Sequence, residues 1–361
     1  MKIERSPLYA PWCARLPLQG EVALHRRRRL LVALGAGTFT AVLTGELTGG
    51  SAAHAQGNAP PARIGIISPA TLAAYAIRLA AINQGMLDNG LIEGKHYVID
   101  LVSAEGHYDR FPALVRELLQ RNPAVLMASS TAAVRAMQQA TRTVPIVMIS
   151  INDPVGSGLV ASLGRPGGNT TGVSNQSVDT AAKYVEFIRE ALPRVKRIAL
   201  LSNPDNPSLA SIGEQVRAAA QRFGIETHAF EAATPAALDA AFAAIARQRP
   251  DALLILRDAM LQAAPQPQLI SAFALKNRIA ALGPDADFAD TGSLLSYGPV
   301  QLEMFRRTAT YVKKILAGVK PADLPVEQPT RFDLVINLKT AKVLGIKMPY
   351  ALLIQAERVI E

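Results

Sequence analysis

Two short apolar runs, Arg63-Ile-Gly-Ile-Ile-Ser68 and Arg197-Ile-Ala-Leu-Leu-Ser202, share one pattern and lie 134 positions apart. Each run is the length of a buried strand and is rich in aliphatic and β-branched residues. Each is followed by a longer amphipathic stretch that predicts a helix. Strands that alternate with helices favour right-handed βαβ units around a parallel sheet. The chain is therefore predicted to have an α/β fold.

The pattern of the first half starts again in the second half. The segment Arg121 to Ala128 matches Arg249 to Leu256 at an offset of 128. The strand predicted from Val144 to Ile149 matches Arg278 to Leu282 at an offset of 134. Similar segments occur by chance in any α/β chain, but the nearly constant offsets between these three pairs of segments favour two Rossmann-like lobes, each with an open parallel sheet.

The first 55 residues have the composition of an export signal. The basic run His25 to Arg29 precedes an apolar run from Leu30 to Leu43, and a small-residue stretch ends in Ala53-His54-Ala55. This order predicts a secretory signal peptide cleaved near Ala55, and its paired arginines also suit a twin-arginine signal. An uncleaved anchor or a misassigned start codon is the alternative, and residues 1–24 resemble an upstream extension.

Removal of this leader changes what the composition implies. The sole cysteine, Cys13, and the sole tryptophan, Trp12, both lie within it, so a mature chain from about Gln56 excludes disulfides and cysteine metal sites. The leader holds seven of the 38 Lys and Arg residues and three of the 29 Asp and Glu residues, so the formal charge of +9 falls to +5. We therefore expect no nucleic-acid partner.

Polar side chains follow the predicted strands in both halves, where open parallel sheets bind ligands. Ser and Thr at a helix start leave backbone N–H groups for a carboxylate, the aspartates could pair with an ammonium group, and the tyrosines could supply a stacking face. A cap or turn is the simpler interpretation of any single Ser or Asn, but both halves place the set at equivalent strand ends. The candidate ligand-binding residues are Ser68, Tyr75, Ser129, Ser130, Thr131, Asn152, Asp153, Ser202, Asn203, Asn206, Asp258, Asp285 and Tyr297.

Catalytic motifs do not stand out in the sequence. The patterns G-x-x-x-x-G-K-[ST], G-x-S-x-G and H-E-x-x-H are absent, and the mature histidines His96, His107 and His228 are isolated. We therefore predict no catalytic residue, no metal site and no cofactor. A secreted α/β enzyme that uses Asp153 or His107 is the minor alternative.

Several longer segments carry a resemblance to a known family. They are Glu105 to Pro112, Ile151 to Val160 with Arg165 to Gly172, Leu295 to Pro299, and Asp323 to Thr330 with Asp333 to Asn337. These segments resemble the ABC transporter substrate-binding proteins that include tryptophan and tyrosine uptake proteins. The resemblance implies a periplasmic binding protein type I fold with three chain crossings between lobes and a ligand in the cleft. It also implies permease and ATPase partners, and ligand contacts at Ser130, Thr131, Asp153, Asn203 and Asp258.

Together, these features predict a monomeric periplasmic solute-binding protein of an ABC importer, with an amino acid or related carboxylate as its ligand. We expect residues 62–175 and about 293–326 to form lobe I, and residues 176–292 and about 327–361 to form lobe II. One alternative keeps the fold but makes the protein a periplasmic sensor that presents its ligand state to a membrane receptor.

Overall fold

A computed structural model describes residues 60–361, so the predicted export signal lies outside the described residues. The described chain forms two α/β lobes, each built around its own sheet. Between residues 60 and 361, no helix combines the length and the apolar character needed to cross a bilayer.

Lobe I contains five parallel strands, and most of their residues are buried because helices cover both faces of the sheet. The strands are β1 Ala62–Ser68, β2 Tyr97–Ser103, β3 Val125–Ala128, β4 Ile146–Ile151 and β5 Thr170–Ser174, in the order β2-β1-β3-β4-β5. The helices that precede the first crossing are α1 Leu72–Asp88, α2 Phe111–Gln120 and α3 Thr131–Ala140, with a 3-10 turn at Tyr108–Arg110.

Lobe II contains a sheet of seven strands. Its strands are β6 Arg197–Ser202, β7 Glu226–Glu231, β8 Ala252–Ile255, β9 Ala280–Gly283, β10 Leu295–Pro299, β11 Phe332–Asn337 and β12 Arg358–Ile360, in the order β12-β11-β10-β9-β8-β6-β7. Its helices are α4 Ser177–Ala191, α5 Leu209–Gln221, α6 Leu238–Gln248, α7 Gln266–Lys276, α8 Ala286–Asp290, α10 Leu338–Leu344 and α11 Tyr350–Gln355; α9, Gln301–Leu316, belongs to lobe I.

The two sheets confirm the internal repeat. β1 pairs with β2 and β3, and β6 pairs with β7 and β8, all in parallel. The order β7-β6-β8-β9-β10 in lobe II is the same as β2-β1-β3-β4-β5 in lobe I. The runs at Arg63 and Arg197 are thus equivalent first strands of different sheets.

The chain crosses between the lobes three times. The first crossing, at residues 175–176, leads from β5 of lobe I to α4, which packs on α5 of lobe II. The second, near residue 300, leads from β10 of lobe II to α9, which packs on α1 and β4 of lobe I. The third, at residues 327–331, returns to β11 of lobe II. The expected return to lobe I at residue 293 is wrong, because β10 pairs with β9 and β11 in the second sheet. The sequence does not indicate this strand, because Ser296 and Gly298 interrupt its apolar run.

Helix α9 lies close against α1 at one glycine. A Cβ atom added at Gly85 would overlap the backbone carbonyl of Arg306 and would touch the side chain of Ala309. The absence of a side chain at position 85 therefore allows the two helix backbones to approach, which anchors α9 on lobe I.

Gly85→Ala should destabilise the protein by about 1–3 kcal/mol, because the added methyl group would force α1 and α9 apart. Chemical denaturation followed by circular dichroism measures this change. Gly164→Ala is the matched control, since no heavy atom lies within 4 Å of the Cβ position there. Equal stability of the two variants would contradict the close packing of α1 on α9.

Candidate functional site

A small cavity lies where the two lobes and the hinge meet. Its volume is about 20 Å³, which is room for about one water molecule. The lining comes from lobe I, from lobe II and from helix α9. The lining residues are Pro69, Ala70, Tyr75, Arg78, Ser129 and Ser150 from the first lobe, Ala259 and Gln262 from the second, and Gln301 and Phe305 from α9.

The carboxylate of Asp258 is the centre of the contact between the lobes. Its Oδ1 accepts hydrogen bonds from the Met260 backbone N–H at 2.9 Å and from Asn203 Nδ2 at 3.1 Å. Its Oδ2 accepts from Asn206 Nδ2 and from the Tyr108 hydroxyl, both at 2.9 Å. Because Tyr108 belongs to lobe I and the other groups belong to lobe II, this carboxylate joins the two lobes.

Burial governs the electrostatics of this contact. Asp258 is 1% exposed, and burial raises the pKa of its carboxyl group, while the hydrogen bonds from Asn206, Asn203 and Tyr108 oppose the rise. Burial and the neighbouring Asp258 charge also raise the pKa of Tyr108, so its hydroxyl remains a donor. The expected pairing of Asp258 with a ligand ammonium group is not what the geometry favours, because donors of the protein already engage both of its oxygens.

Asn152 makes a second connection between the lobes. Its Nδ2 donates to Ser208 Oγ and to the Arg257 carbonyl of lobe II, both at 2.9 Å. Its Oδ1 accepts from Asn175 Nδ2 at 2.9 Å, at the first crossing of the chain. Ser208 Oγ in turn donates to Asn206 Oδ1 at 2.8 Å. The groups from Tyr108 to Asn175 therefore form one continuous set of hydrogen bonds, named here the interlobe network: Tyr108, Asp258, Asn203, Asn206, Ser208, Asn152 and Asn175.

A third connection borders the cavity itself. Arg78, on α1, donates from Nη2 to the Gln262 carbonyl of lobe II at 3.0 Å. The side-chain amide of Gln262 donates to Asp285 Oδ2. Asp285 is 6% exposed, and its Oδ1 has no hydrogen-bond partner among residues 60–361. Asp285 is not among the residues that line the cavity, and it is connected to the cavity through Gln262.

Two hydroxyl groups face the cavity from lobe I. Tyr75, which packs edge-on against Phe305 at 6.0 Å between ring centroids, has a buried Oη without a partner in the described chain. Ser150 Oγ is likewise buried and unpartnered there. Burial raises the pKa of Tyr75, so this hydroxyl stays protonated and can donate. Close by in the chain, Ser129 lines the cavity, and Ser130 and Thr131 begin α3.

Some predicted ligand residues take structural roles instead. Asp153 Oδ1 accepts the Gly156 backbone N–H at 2.7 Å and closes a turn after β4, outside the cavity lining. Ser68 Oγ donates to the Ala70 carbonyl at 2.7 Å and closes the turn after β1. Ser202 borders a separate pocket of about 310 Å³ on lobe II, at the side of the sheet that α5 covers.

Tyr297 does not provide the expected stacking face for a ligand. Its ring packs edge-on against Phe187 at 4.9 Å and against Tyr184 at 6.1 Å, and it stacks on Phe332. Successive side chains of a strand point to opposite faces, so Tyr297 in β10 faces α4 while its neighbours Ser296 and Gly298 face the other side.

The sequence-based prediction omitted several residues that border the cavity or join the lobes. Arg78 follows Tyr75 by three positions, so the two share one face of α1, and this spacing could have indicated it. Tyr108 lies in a segment that carried the family resemblance, but nothing in the sequence indicated its partner. No feature of the sequence indicated that Ser150, Gln262 and Phe305 would border the cavity. Within the described range, no cluster of His, Cys, Asp and Glu could hold a metal ion.

The chain matches a known protein family over nearly all of its described length. The matching model, described as ABC transporter substrate binding protein, covers residues 63–360. The curated tyrosine-binding protein of Clostridioides difficile strain R20291 is 23% identical over 265 residues, which is 73% of this chain and 75% of that relative.

Two solved structures resemble both lobes of the chain. A conserved domain protein from Vibrio cholerae is 30% identical with a TM-score of 0.77, over 82% of this chain and 99% of that one. An ABC domain from Streptococcus pneumonia in complex with L-Trp is 26% identical with a TM-score of 0.75, over 83% of this chain and 100% of that one.

Tyr108→Phe should lower the free energy of unfolding by about 1.5–3 kcal/mol, because a buried carboxylate loses one of its donors. Denaturant titration measures the change. Tyr350→Phe is the control, since that side chain is 77% exposed and its loss should change stability by less than about 0.5 kcal/mol. Equal stability of the two variants would mean that the Tyr108–Asp258 contact contributes nothing.

Proposed function

The chain belongs to the family of ABC transporter substrate-binding proteins, and we propose that it binds an amino acid between its lobes and delivers it to an ABC importer. The observation that carries the proposal is the cavity at the meeting point of both lobes and α9. A ligand there contacts groups on each side of the hinge, so its binding would favour the arrangement in which the lobes touch.

Three features of the cavity support an amino acid as ligand. The rings of Tyr75 and Phe305 provide an apolar wall, Arg78 provides a positive charge, and the Asp285 carboxylate provides a negative charge behind Gln262, to which it is hydrogen-bonded. A zwitterion needs both charges matched, because a buried charge without a partner is very costly. An aromatic side chain suits the apolar wall, in keeping with a relative named for tyrosine and another solved with L-Trp.

Ligand entry requires the lobes to separate. Sites for small ligands typically enclose about 300–1,000 Å³, whereas the cavity described here measures about 20 Å³. The three crossings at residues 175–176, near 300 and at 327–331 would act as the hinge for that motion. We propose that the walls of the cavity move apart to make room for the ligand, and that the interlobe network forms again as the lobes close on it.

The proposed cellular role follows from the predicted leader and the family. Cleavage near Ala55 would release a monomer into the periplasm, where a permease and an ATPase of the importer would be its partners. The protein would release its ligand chemically unchanged, since we propose no catalytic step.

Calorimetric titration of the chain beginning at Gln56 with the protein L-amino acids tests this function. We expect a dissociation constant of about 1 μM or lower for at least one aromatic amino acid, equivalent to about 8 kcal/mol of binding free energy. Mass spectrometry should recover that ligand unaltered.

Asp258→Ala should weaken this binding about tenfold or more, because closure then lacks its central acceptor. His107→Ala, beside Tyr108 in the chain but exposed, is the matched control and should bind as the unmodified protein does. Absence of binding to every amino acid, or chemical conversion of the ligand, would contradict the proposal.

A further inference from the structure

The polar wall that lobe I presents to the cavity consists of hydrogen-bond donors. It combines the guanidinium of Arg78 with the hydroxyls of Tyr75 and Ser150. We propose that these three side chains form a carboxylate-binding subsite that holds the ligand by its carboxylate on lobe I. This inference rests on the proposed function and goes further, because it assigns the ligand charge and its orientation.

The two hydroxyls are buried and lack partners. Tyr75 is 1% exposed and Ser150 is 9% exposed, and neither side-chain oxygen has a hydrogen-bond partner in the described part of the chain. Buried polar atoms are nearly always paired in folded proteins, so two unpaired ones that line the same cavity call for a common partner. A carboxylate, which only accepts hydrogen bonds, would satisfy both hydroxyls.

The backbone of Ser150 aims its side chain at this wall. Its φ is 56°, a left-handed conformation that is uncommon outside glycine. The pairing of β4 with β5 shifts register between Met148 and Ile151, so Ser150 sits in an irregularity of the strand. Such irregularities redirect side chains and are frequent beside functional sites.

Asn175 holds this conformation in place. Its Nδ2 donates to the Ser150 carbonyl at 2.8 Å as well as to Asn152 Oδ1. Because Asn175 lies at the first crossing and belongs to the interlobe network, the subsite and the hinge share hydrogen bonds. A carboxylate bound at Ser150 is therefore connected to lobe closure.

The charge of the wall also favours an anion. Arg78 donates to the Ala74 and Gln262 carbonyls, and its charge also acts on Asp287, whose pKa it lowers against the larger effect of burial. Gln301, the first residue of α9, lines the same cavity, and Val300 before it offers no side-chain cap to the helix N–H groups. Uncapped N–H groups at the start of a long helix add a partial positive charge.

The side of the cavity that lobe II forms determines how the ligand is oriented. Gln262 lines the cavity from lobe II, and the Asp285 carboxylate behind it supplies the negative charge that suits an ammonium group. A bound amino acid would therefore turn its carboxylate towards lobe I and its ammonium group towards lobe II, with its side chain beside Tyr75 and Phe305.

Paired ligands test the subsite. L-tyrosine and L-tyrosinamide differ only in the carboxylate, as do L-tryptophan and L-tryptophanamide. We expect the unmodified protein to prefer each acid over its amide by about a hundredfold in calorimetric titration. Arg78→Gln should weaken binding of the acid about tenfold or more and leave the amide within about threefold, so the preference collapses.

Ser150→Ala and Tyr75→Phe should each lower affinity for the acid about tenfold with little effect on the amide. Ser150→Gly tests the hydroxyl separately from the backbone, because glycine adopts the left-handed conformation easily. Arg116→Gln, on the exposed side of α2, is the matched control for the loss of a positive charge. Thermal unfolding of each variant verifies that it folds.

The outcomes separate this inference from the proposed function. Equal affinity of the unmodified protein for an acid and its amide, or an equal loss for both in Arg78→Gln, would overturn the subsite while amino-acid binding stands. Failure to bind any protein amino acid would overturn the proposed function and the subsite together; if a different amino acid binds, that acid and its amide form the pair for the same test.

Discussion

The buried carboxylate of Asp258 is the constraint on which the arrangement of the two lobes depends. A carboxylate that is 1% exposed needs hydrogen-bond donors, since removing one partner leaves a buried charge uncompensated. Lobe II supplies Asn203, Asn206 and a backbone N–H, and lobe I supplies the Tyr108 hydroxyl. The contact between the lobes thus combines these hydrogen bonds with apolar packing, because one buried apolar cluster includes residues of both lobes, such as Tyr108 and Met260.

The same hydrogen bonds connect closure to the cavity. Ser208 is hydrogen-bonded to both Asn206 and Asn152, and Asn152 is hydrogen-bonded to Asn175 at the first crossing. Asn175 also fixes the carbonyl of Ser150, whose hydroxyl faces the cavity. The cavity wall, the hinge and the contact between the lobes therefore share one set of side chains, through which the ligand proposed above would bias the positions of the two lobes.

The sequence predicted the sheets better than the site. Apolar runs rich in β-branched residues, such as the one that begins at Arg63, indicate buried strands, so the internal repeat and its parallel sheets could be predicted. The strands β5 and β10 could not be predicted, because they contain small polar residues that are typical of loops. Asp153 and Asp258 both follow strands, and only the folded geometry shows that the first caps a turn while the second joins the lobes. Tyr297 was misplaced because the strand register, which decides its face, is not visible in the sequence.

Interlobe distance is the most direct measure of the central claim, that the network around Asp258 holds the lobes together. The chain from Gln56 has no cysteine, so spin labels can be introduced specifically at the exposed positions Ile77 of α1 and Leu269 of α7. Pulsed electron paramagnetic resonance with saturating L-tyrosine should give one narrow, short distance when Asp258 is present. In Asp258→Ala the mean distance between the labels should become longer and its distribution broader. The same distribution in both proteins would contradict the account.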